Sequence, residues 1–144
     1  MSKRPVPSLP CLCANLRRAS RAMTQFYDEA LRPLGITITQ FTILQALSLA
    51  GTVRQGRLGE ILAMDSTTLT RTLAIMGKHG WIASEPGADR RERRLSLNGA
   101  GKQKFNSVLP HWQRAQAQLR TRLRPTRWND LIDAINHLTS AVAD

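Results

Sequence analysis

The chain has 144 residues, a length typical of one domain, and 42% of them are hydrophobic, which is enough for an aliphatic core. Lys and Arg number 21 against 10 Asp and Glu, so the formal charge of +11 favours polyanionic partners, nucleic acid above all. No apolar run reaches the roughly 20 residues of a membrane span and no signal-peptide pattern precedes Cys11, so a cytoplasmic protein without membrane contact is expected.

The N-terminal part predicts an arm followed by a long helix. Residues 1–10 contain three prolines and are expected to form a flexible arm ahead of a single domain over 11–144. From Leu12 onward, apolar residues recur at helical spacing until Pro33 and Gly35 end the pattern. This first helix, within 11–35, is longer than one small domain can cover.

A winged helix-turn-helix is predicted over 36–97. It begins with a helix that Thr39 is expected to cap and that Gly51 ends. A short helix around Leu58 and a turn over 63–65 follow. Asp65 or Ser66 is then expected to cap the second short helix, which reaches Lys78 before the left-handed Gly80.

Two extended runs, Trp81–Glu85 and Arg93–Leu97, flank a polar turn and therefore predict a β-hairpin, the wing. Asn98 is expected to cap a long helix, and Pro125 suits the first position of a last one. The helices over 11–35 and 98–144 carry apolar stripes that this small core cannot cover. Packing against a second copy would bury them, so the predicted fold is mainly α with a hairpin wing and terminal dimerisation helices.

The second short helix carries the candidate DNA-reading face. Residues three and four apart are neighbours on a helix, which places its hydroxyls and one arginine together, opposite Leu69, Leu73 and Met76. Hydroxyls bond phosphates and base edges, and Arg grips guanine through two hydrogen bonds. The predicted contacts on this helix are Ser66, Thr67, Thr68, Thr70 and Arg71.

The hairpin tip is the second candidate DNA contact. Its arginines, Arg90, Arg91 and Arg93, could enter a narrow minor groove or meet phosphates, and Asp89 could hold an arginine side chain. A solvated turn of alternating charges is the structural alternative.

These residues resemble the MarR family of winged helix-turn-helix regulators. The stretch 88–101 (ADRRERRLSLNGAG) is similar to the family's wing motif, with Asn98 in place of the usual Thr. Residues 59–71 are similar to the family's helix-turn-helix, and residues 80–82 are similar to the segment that leads from it into the wing. The resemblance implies a homodimer on a near-palindromic double-stranded operator, most often a repressor. It also implies release by an anionic aromatic compound or by thiol oxidation.

Four residues are candidates for an aromatic-acid site in the crevice between the dimerisation helices and the winged domain. Arg17 and Arg21 lie one turn apart and could hold a carboxylate, while His111 and Trp112 could form an aromatic wall. Trp112 also suits the core.

Cys11 and Cys13 support a rival trigger, thiol-based redox or soft-metal sensing. An intrachain disulfide between them would be strained, so a bond between subunits is the form expected. No third soft ligand is near in sequence, and burial of Cys as a small hydrophobe is the alternative.

An enzyme is not expected, and neither a cofactor nor a metal centre is predicted. The three histidines are scattered, and no motif for a nucleophile, a zinc site or a phosphate loop appears. A module that coats nucleic acid without sequence preference is the remaining alternative.

Overall fold

The computed structural model describes residues 5–124 and 127–143. These residues form, in chain order, α1 (Leu12–Leu31), a 3₁₀ turn (Arg32–Leu34), α2 (Ile38–Ala50), β1 (Val53–Arg54), α3 (Gln55–Leu62), α4 (Ser66–Lys78), β2 (Ile82–Pro86), β3 (Arg93–Leu97), α5 (Gly99–Arg122) and α6 (Trp128–Val142). The mainly helical fold with a small β wing is confirmed. Residues 1–4 of the predicted arm and Pro125 lie outside the described residues.

The start of α2 corrects one prediction, because the cap is Thr37 and not Thr39. The Thr37 hydroxyl accepts from the Gln40 backbone N–H (3.2 Å), and the Gln40 side chain accepts from the Thr37 N–H (3.1 Å). This capping box satisfies two amides that the first turn leaves free. The Thr-x-x-Gln spacing was visible in the sequence and distinguishes Thr37 from Thr39.

Helix α2 forms the centre of the core. Phe41, Ile43 and Leu44 are all fully buried, so the helix is covered on more than one face. The rings of Phe105 and Trp112, both on α5, lie 5.6 and 5.8 Å from the Phe41 ring. The winged domain and α5 therefore share one hydrophobic core.

A three-stranded antiparallel sheet forms the wing and its base, with strand order β1-β3-β2. Leu95 of β3 faces Ser84 on one side and Val53 on the other. The strand β1 was not predicted, because two residues are too few to show an alternating pattern. The strand β2 begins one residue later than expected, after the buried Trp81.

Helix α1 contacts α5 through a polar pair. Tyr27 of α1 donates to the side chain of Gln116 on α5, and burial raises the pKa of this phenol, so the donor stays protonated.

The terminal helices keep apolar side chains exposed. Helix α6 contains no buried residue. The exposed large hydrophobic residues of α1 and α6 are Leu12, Leu16, Met23, Ile132, Ile135 and Val142.

Within the described residues, no single helix is both long and apolar enough to cross a membrane. The segment Leu12–Leu34 reaches the necessary length and apolar composition only together with α2, and the two are bent by 81° relative to each other.

Candidate nucleic-acid interface

Helix α4 is capped by Asp65, one of the two residues predicted for this role, while Ser66 is the first residue of the helix. One carboxylate oxygen of Asp65 accepts from the Thr68 N–H (2.9 Å), and the other accepts from the Thr68 hydroxyl (2.7 Å). Both bonds lower the pKa of Asp65 below its ordinary value, and the bond from the Thr68 hydroxyl contributes more than the bond from the Thr68 backbone. The carboxylate therefore stays ionised and fixes the first turn of α4.

The two faces of α4 divide as the sequence predicted. Leu69 and Met76 are buried and Leu73 is half-buried. The opposite face is exposed and contains Ser66, Thr67, Thr68, Thr70 and Arg71. Because Arg71 takes part in no ion pair among the described residues, its charge is available to an outside anion.

The wing tip is a tight turn closed by its own backbone. The Gly87 N–H donates to the Glu92 carbonyl (2.8 Å), and the Glu92 N–H donates to the Asp89 carbonyl (2.9 Å). A Cβ atom at Gly87 would lie 2.7 Å from that of Glu92, so the turn requires glycine at this position. The tip is thus narrow, and Arg90, Arg91 and Arg93 on it are exposed.

The role expected of Asp89 is corrected. Its carboxylate accepts from the backbone N–H of Arg91 (3.2 Å) and forms no ion pair with an arginine side chain within 5–124 and 127–143. The carboxylate of an aspartate in a turn commonly accepts from the backbone N–H two residues later, because the turn itself holds that N–H close to the carboxylate. The guanidinium of Arg91 is consequently left to solvent or to DNA.

A different carboxylate ties the wing to the helix-turn-helix. The Arg54 guanidinium, at the end of β1, donates to Glu92 at the wing tip (3.0 Å). Sequence reasoning missed this pair, since the two residues are 38 positions apart and β1 was not recognised.

A cleft opens between the wing tip and the helix-turn-helix. Four arginines line it: Arg54, Arg57, Arg91 and Arg93. Two of them are neutralised, because Arg54 pairs with Glu92 and Arg57 pairs with Glu60 (2.9 Å). The other two have no carboxylate partner in the part of the chain that the structure describes, so the wing side of the cleft carries the available positive charge.

The four candidate effector residues do not share one groove. Arg17 and Arg21 are exposed on α1, and Arg21 lines a shallow groove with Asp28 and Arg32 that neither His111 nor Trp112 lines. The His111 ring nitrogen lies 3.1 Å from the Arg114 guanidinium. Trp112 is half-buried against the core, which is the structural role that the sequence left open.

Both cysteines are free and exposed. Cys11 is the residue before the first turn of α1, and Cys13 lies within that turn. No group of three or more His, Cys, Asp or Glu side chains within the described ranges could hold a metal ion.

Known proteins similar to this chain are transcriptional regulators. Residues 36–92 match the model of the MarR family. The transcriptional regulator MosR of M. tuberculosis, in a crystal structure with DNA, is 34% identical, with a TM-score of 0.83 over 91% of this chain and 95% of that one. The organic hydroperoxide resistance transcriptional regulator of Bacillus subtilis is 36% identical over 91 residues, 62% of either chain. The HTH-type transcriptional regulator YwoH of Bacillus subtilis is 25% identical over 97 residues, 67% of this chain and 71% of that one.

Proposed function

Because the chain belongs to the MarR family of DNA-binding, winged-helix transcriptional regulators, we propose that it acts as a homodimeric repressor of a pseudo-palindromic operator. The observation that carries this proposal is the exposed hydroxyl-and-arginine face of α4 beside an arginine-bearing wing. Such a protein binds and releases DNA rather than transforming a substrate.

In the proposed complex, α4 enters the major groove and the wing reaches the flanking backbone. Ser66, Thr67 and Thr70 supply short hydroxyls for phosphates and base edges, and Arg71 supplies the two parallel donors that suit guanine. Arg91 at the wing tip meets a narrow minor groove, where the negative potential is strongest, and Arg90 and Arg93 meet phosphates.

The dimer is supported by the uncovered apolar residues of α1 and α6. Ile132 and Ile135 are 40% and 43% exposed on a helix with no buried residue, so this stripe lacks a partner within its own chain. A two-fold dimer would bury it against a second copy. Two α4 helices about 34–36 Å apart would then read half-sites one helical turn apart.

The experiment is a solution-mass measurement combined with gel shifts on an operator selected from random duplex DNA. Wild type is expected to have the mass of two chains and to bind its operator at least about 10³-fold more tightly than random DNA. The double change Ile132→Asp with Ile135→Asp should halve the mass and lose operator binding. Leu49→Asp is the matched control, since Leu49 is 85% exposed on α2 and should alter neither. A wild-type mass of one chain, or equal binding to all DNA, would refute the proposal.

A small anionic aromatic compound is the proposed releasing ligand. The exposed cationic pair Arg17 and Arg21 on α1 supports a carboxylate partner, whereas His111 and Trp112, the predicted aromatic wall, do not line the groove that contains Arg21. Aromatic acids that bind the folded dimer should raise its melting temperature and weaken operator binding, and Arg21→Ala should remove both effects. A broad panel of such acids without effect would exclude this trigger.

Thiol oxidation is the second candidate trigger. The exposure of Cys11 and Cys13, and the similarity to an organic hydroperoxide resistance regulator, favour it. An organic hydroperoxide would take two thiol hydrogens and leave a disulfide, an alcohol and water, and a disulfide between subunits would appear on a non-reducing gel. If replacement of both cysteines by Ser leaves the hydroperoxide response intact, the thiols are not the sensor.

A further inference from the structure

The hydroxyl of Thr70, on the exposed face of α4, has a partner on another helix. The side-chain amide of Gln55, the first residue of α3, donates to the Thr70 hydroxyl oxygen at 3.1 Å. Gln55, Thr70 and Arg93 all line the shallow groove between α4 and the wing sheet. The contact therefore lies beside the surface that faces DNA in the proposed complex.

This arrangement differs from that of four other helical threonines among the described residues. They donate their hydroxyl proton to the carbonyl four residues earlier: Thr42 to Ile38 (2.8 Å), Thr72 to Thr68 (2.9 Å), Thr121 to Ala117 (3.1 Å) and Thr139 to Ile135 (2.9 Å). Among the described residues Thr70 donates to no such carbonyl, and its oxygen accepts instead. A hydroxyl has a single proton, so that of Thr70 remains available for an outside acceptor.

Thr68, two residues earlier, has the opposite polarity. Its hydroxyl lies 2.7 Å from an oxygen of Asp65. An ionised carboxylate only accepts, so the proton of Thr68 is used in that bond and its hydroxyl oxygen can only accept from DNA.

We propose that Gln55 and Asp65 set the hydrogen-bonding polarity of the α4 surface, so that Thr70 donates to DNA whereas Thr68 can only accept. The inference rests on the proposed docking of α4. Thr70 then selects a phosphate oxygen or the acceptors of the major groove, which are guanine O6 and N7, adenine N7 and thymine O4. Thr68 cannot bond a phosphate and is restricted to the amino groups of adenine and cytosine. Gln55 is a positioning residue, because it acts through Thr70.

A double-mutant cycle on the selected operator tests the role of Gln55. Gln55→Met keeps the length of the side chain but removes its donor, which frees the Thr70 hydroxyl to turn to the Ser66 carbonyl. Loss of one oriented hydrogen bond should weaken operator binding by about 3- to 10-fold in the wild-type background and by less than about 2-fold with Thr70→Val. Gln55→Glu places a carboxylate beside Thr70, and this carboxylate accepts the hydrogen bond that the Thr70 hydroxyl would otherwise donate to DNA. The loss of operator affinity that comes from the added negative charge alone is measured with Gln55→Glu in the Thr70→Val background. Equal losses in the two backgrounds for either change would overturn the proposal.

A set of modified operators identifies the acceptor. Each purine is replaced in turn by its 7-deaza analogue, each guanine by 2-aminopurine, which lacks O6, each thymine by 5-methyl-2-pyrimidinone, which lacks O4, and each phosphate by methylphosphonate. Wild type should lose affinity at one position to which Thr70→Val and Gln55→Met are both insensitive. Sensitivity that is identical in all three proteins at every position would contradict the assigned polarity.

Arg71→Ala separates the two levels of inference. If it weakens operator binding while Gln55 and Thr70 show no coupling, the docking of α4 stands and only the polarity assignment fails. If Arg71→Ala and Thr70→Val both leave binding at the wild-type level, the docking itself is wrong, and the polarity assignment fails with it.

Discussion

The backbone of Gly101, in the first turn of α5, lies directly against the carbonyl group of Trp81, at the start of the wing. A Cβ atom at Gly101 would lie 2.1 Å from the Trp81 carbonyl oxygen and 3.0 Å from its carbonyl carbon. The same carbonyl accepts from the Asn98 N–H (3.3 Å), and the Asn98 side chain accepts from the Gly101 N–H (2.8 Å). The cap of α5 and the root of the wing are therefore packed as one unit, which explains why the stretch 88–101 ends in a glycine.

Gly101→Ala should destabilise the protein by more than about 2 kcal/mol, because the added methyl meets backbone that cannot turn away. Gly99→Ala, two residues earlier, is the matched control, since a Cβ atom there meets nothing within 4 Å. The control should be neutral or stabilising by up to about 1 kcal/mol. Chemical denaturation of both variants measures the difference, and equal stabilities would contradict the close packing.

Arg71→Ala should cost about 1–3 kcal/mol of operator affinity and relax the preference at one base pair, since a side chain that reads a base edge is removed. Gel shifts on the operator and on single-base variants measure both effects. Arg114→Ala removes the same charge from α5, where the guanidinium lies beside His111, and should preserve the base preference. A loss of equal size on every sequence would mean that Arg71 contacts only phosphate.

Arg91→Ala should weaken binding most at AT-rich flanks, where the minor groove is narrow. Removing one cation from the minor groove should also make the negative slope of log affinity against log salt concentration shallower by about 1, because fewer counterions are released. Titrations at several salt concentrations measure this slope. If the slope of Arg91→Ala equals that of wild type, Arg91 does not lie in the minor groove of the operator.

Asp65→Ala should shorten α4 and lower both the denaturation midpoint and the operator affinity at neutral pH, because the Thr68 N–H and hydroxyl lose their acceptor. The pKa of Asp65 is below its ordinary value of 3.8 in the folded protein, so the ionised carboxylate stabilises the fold above that value. The stabilisation is lost as the pH falls through the folded pKa. The stability gap between wild type and Asp65→Ala should therefore narrow below about pH 3.8.

Asp65→Asn is the control for the charge of this cap. Asparagine keeps an oxygen that can accept from the Thr68 N–H, so most of the stability at neutral pH should remain. The stability of Asp65→Asn relative to Asp65→Ala should not change as the pH is lowered. A wild-type gap that persists unchanged at low pH would show that the carboxylate is not the group responsible.

Much of the fold could be predicted because its signals are local. Asn98 caps the helix that the sequence assigned to it, Asp65 is one of the two caps predicted for α4, and Gly51 ends α2 as predicted. Gly80 has the positive φ expected of the residue after α4. A cap bonds an amide two or three residues away, and a helix face repeats every three or four residues. Such relationships are fixed by chain geometry before any tertiary contact forms.

Two predictions are wrong because a different local partner is better placed. Thr37 and not Thr39 caps α2, because Gln40, three residues after Thr37, completes a capping box. Asp89 accepts from the backbone N–H of Arg91 and not from an arginine side chain, because that N–H lies closer along the turn. In both cases the correct partner was within three residues in the sequence.

The sequence by itself determined the helices, the caps of α4 and α5, the exposed face of α4 and the arginine-bearing tip of the wing. Only the tertiary structure decided that Arg54 bonds Glu92, that Gln55 bonds Thr70 and that Trp112 packs on Phe41. The partners in these pairs are separated by 38, 15 and 71 positions, so no spacing rule connects them. These contacts form because the packing of α2 against α5 and the pairing of β1 with β3 bring distant segments together. The free energy of this packing and strand pairing depends on the folding of the whole chain and not on any local segment.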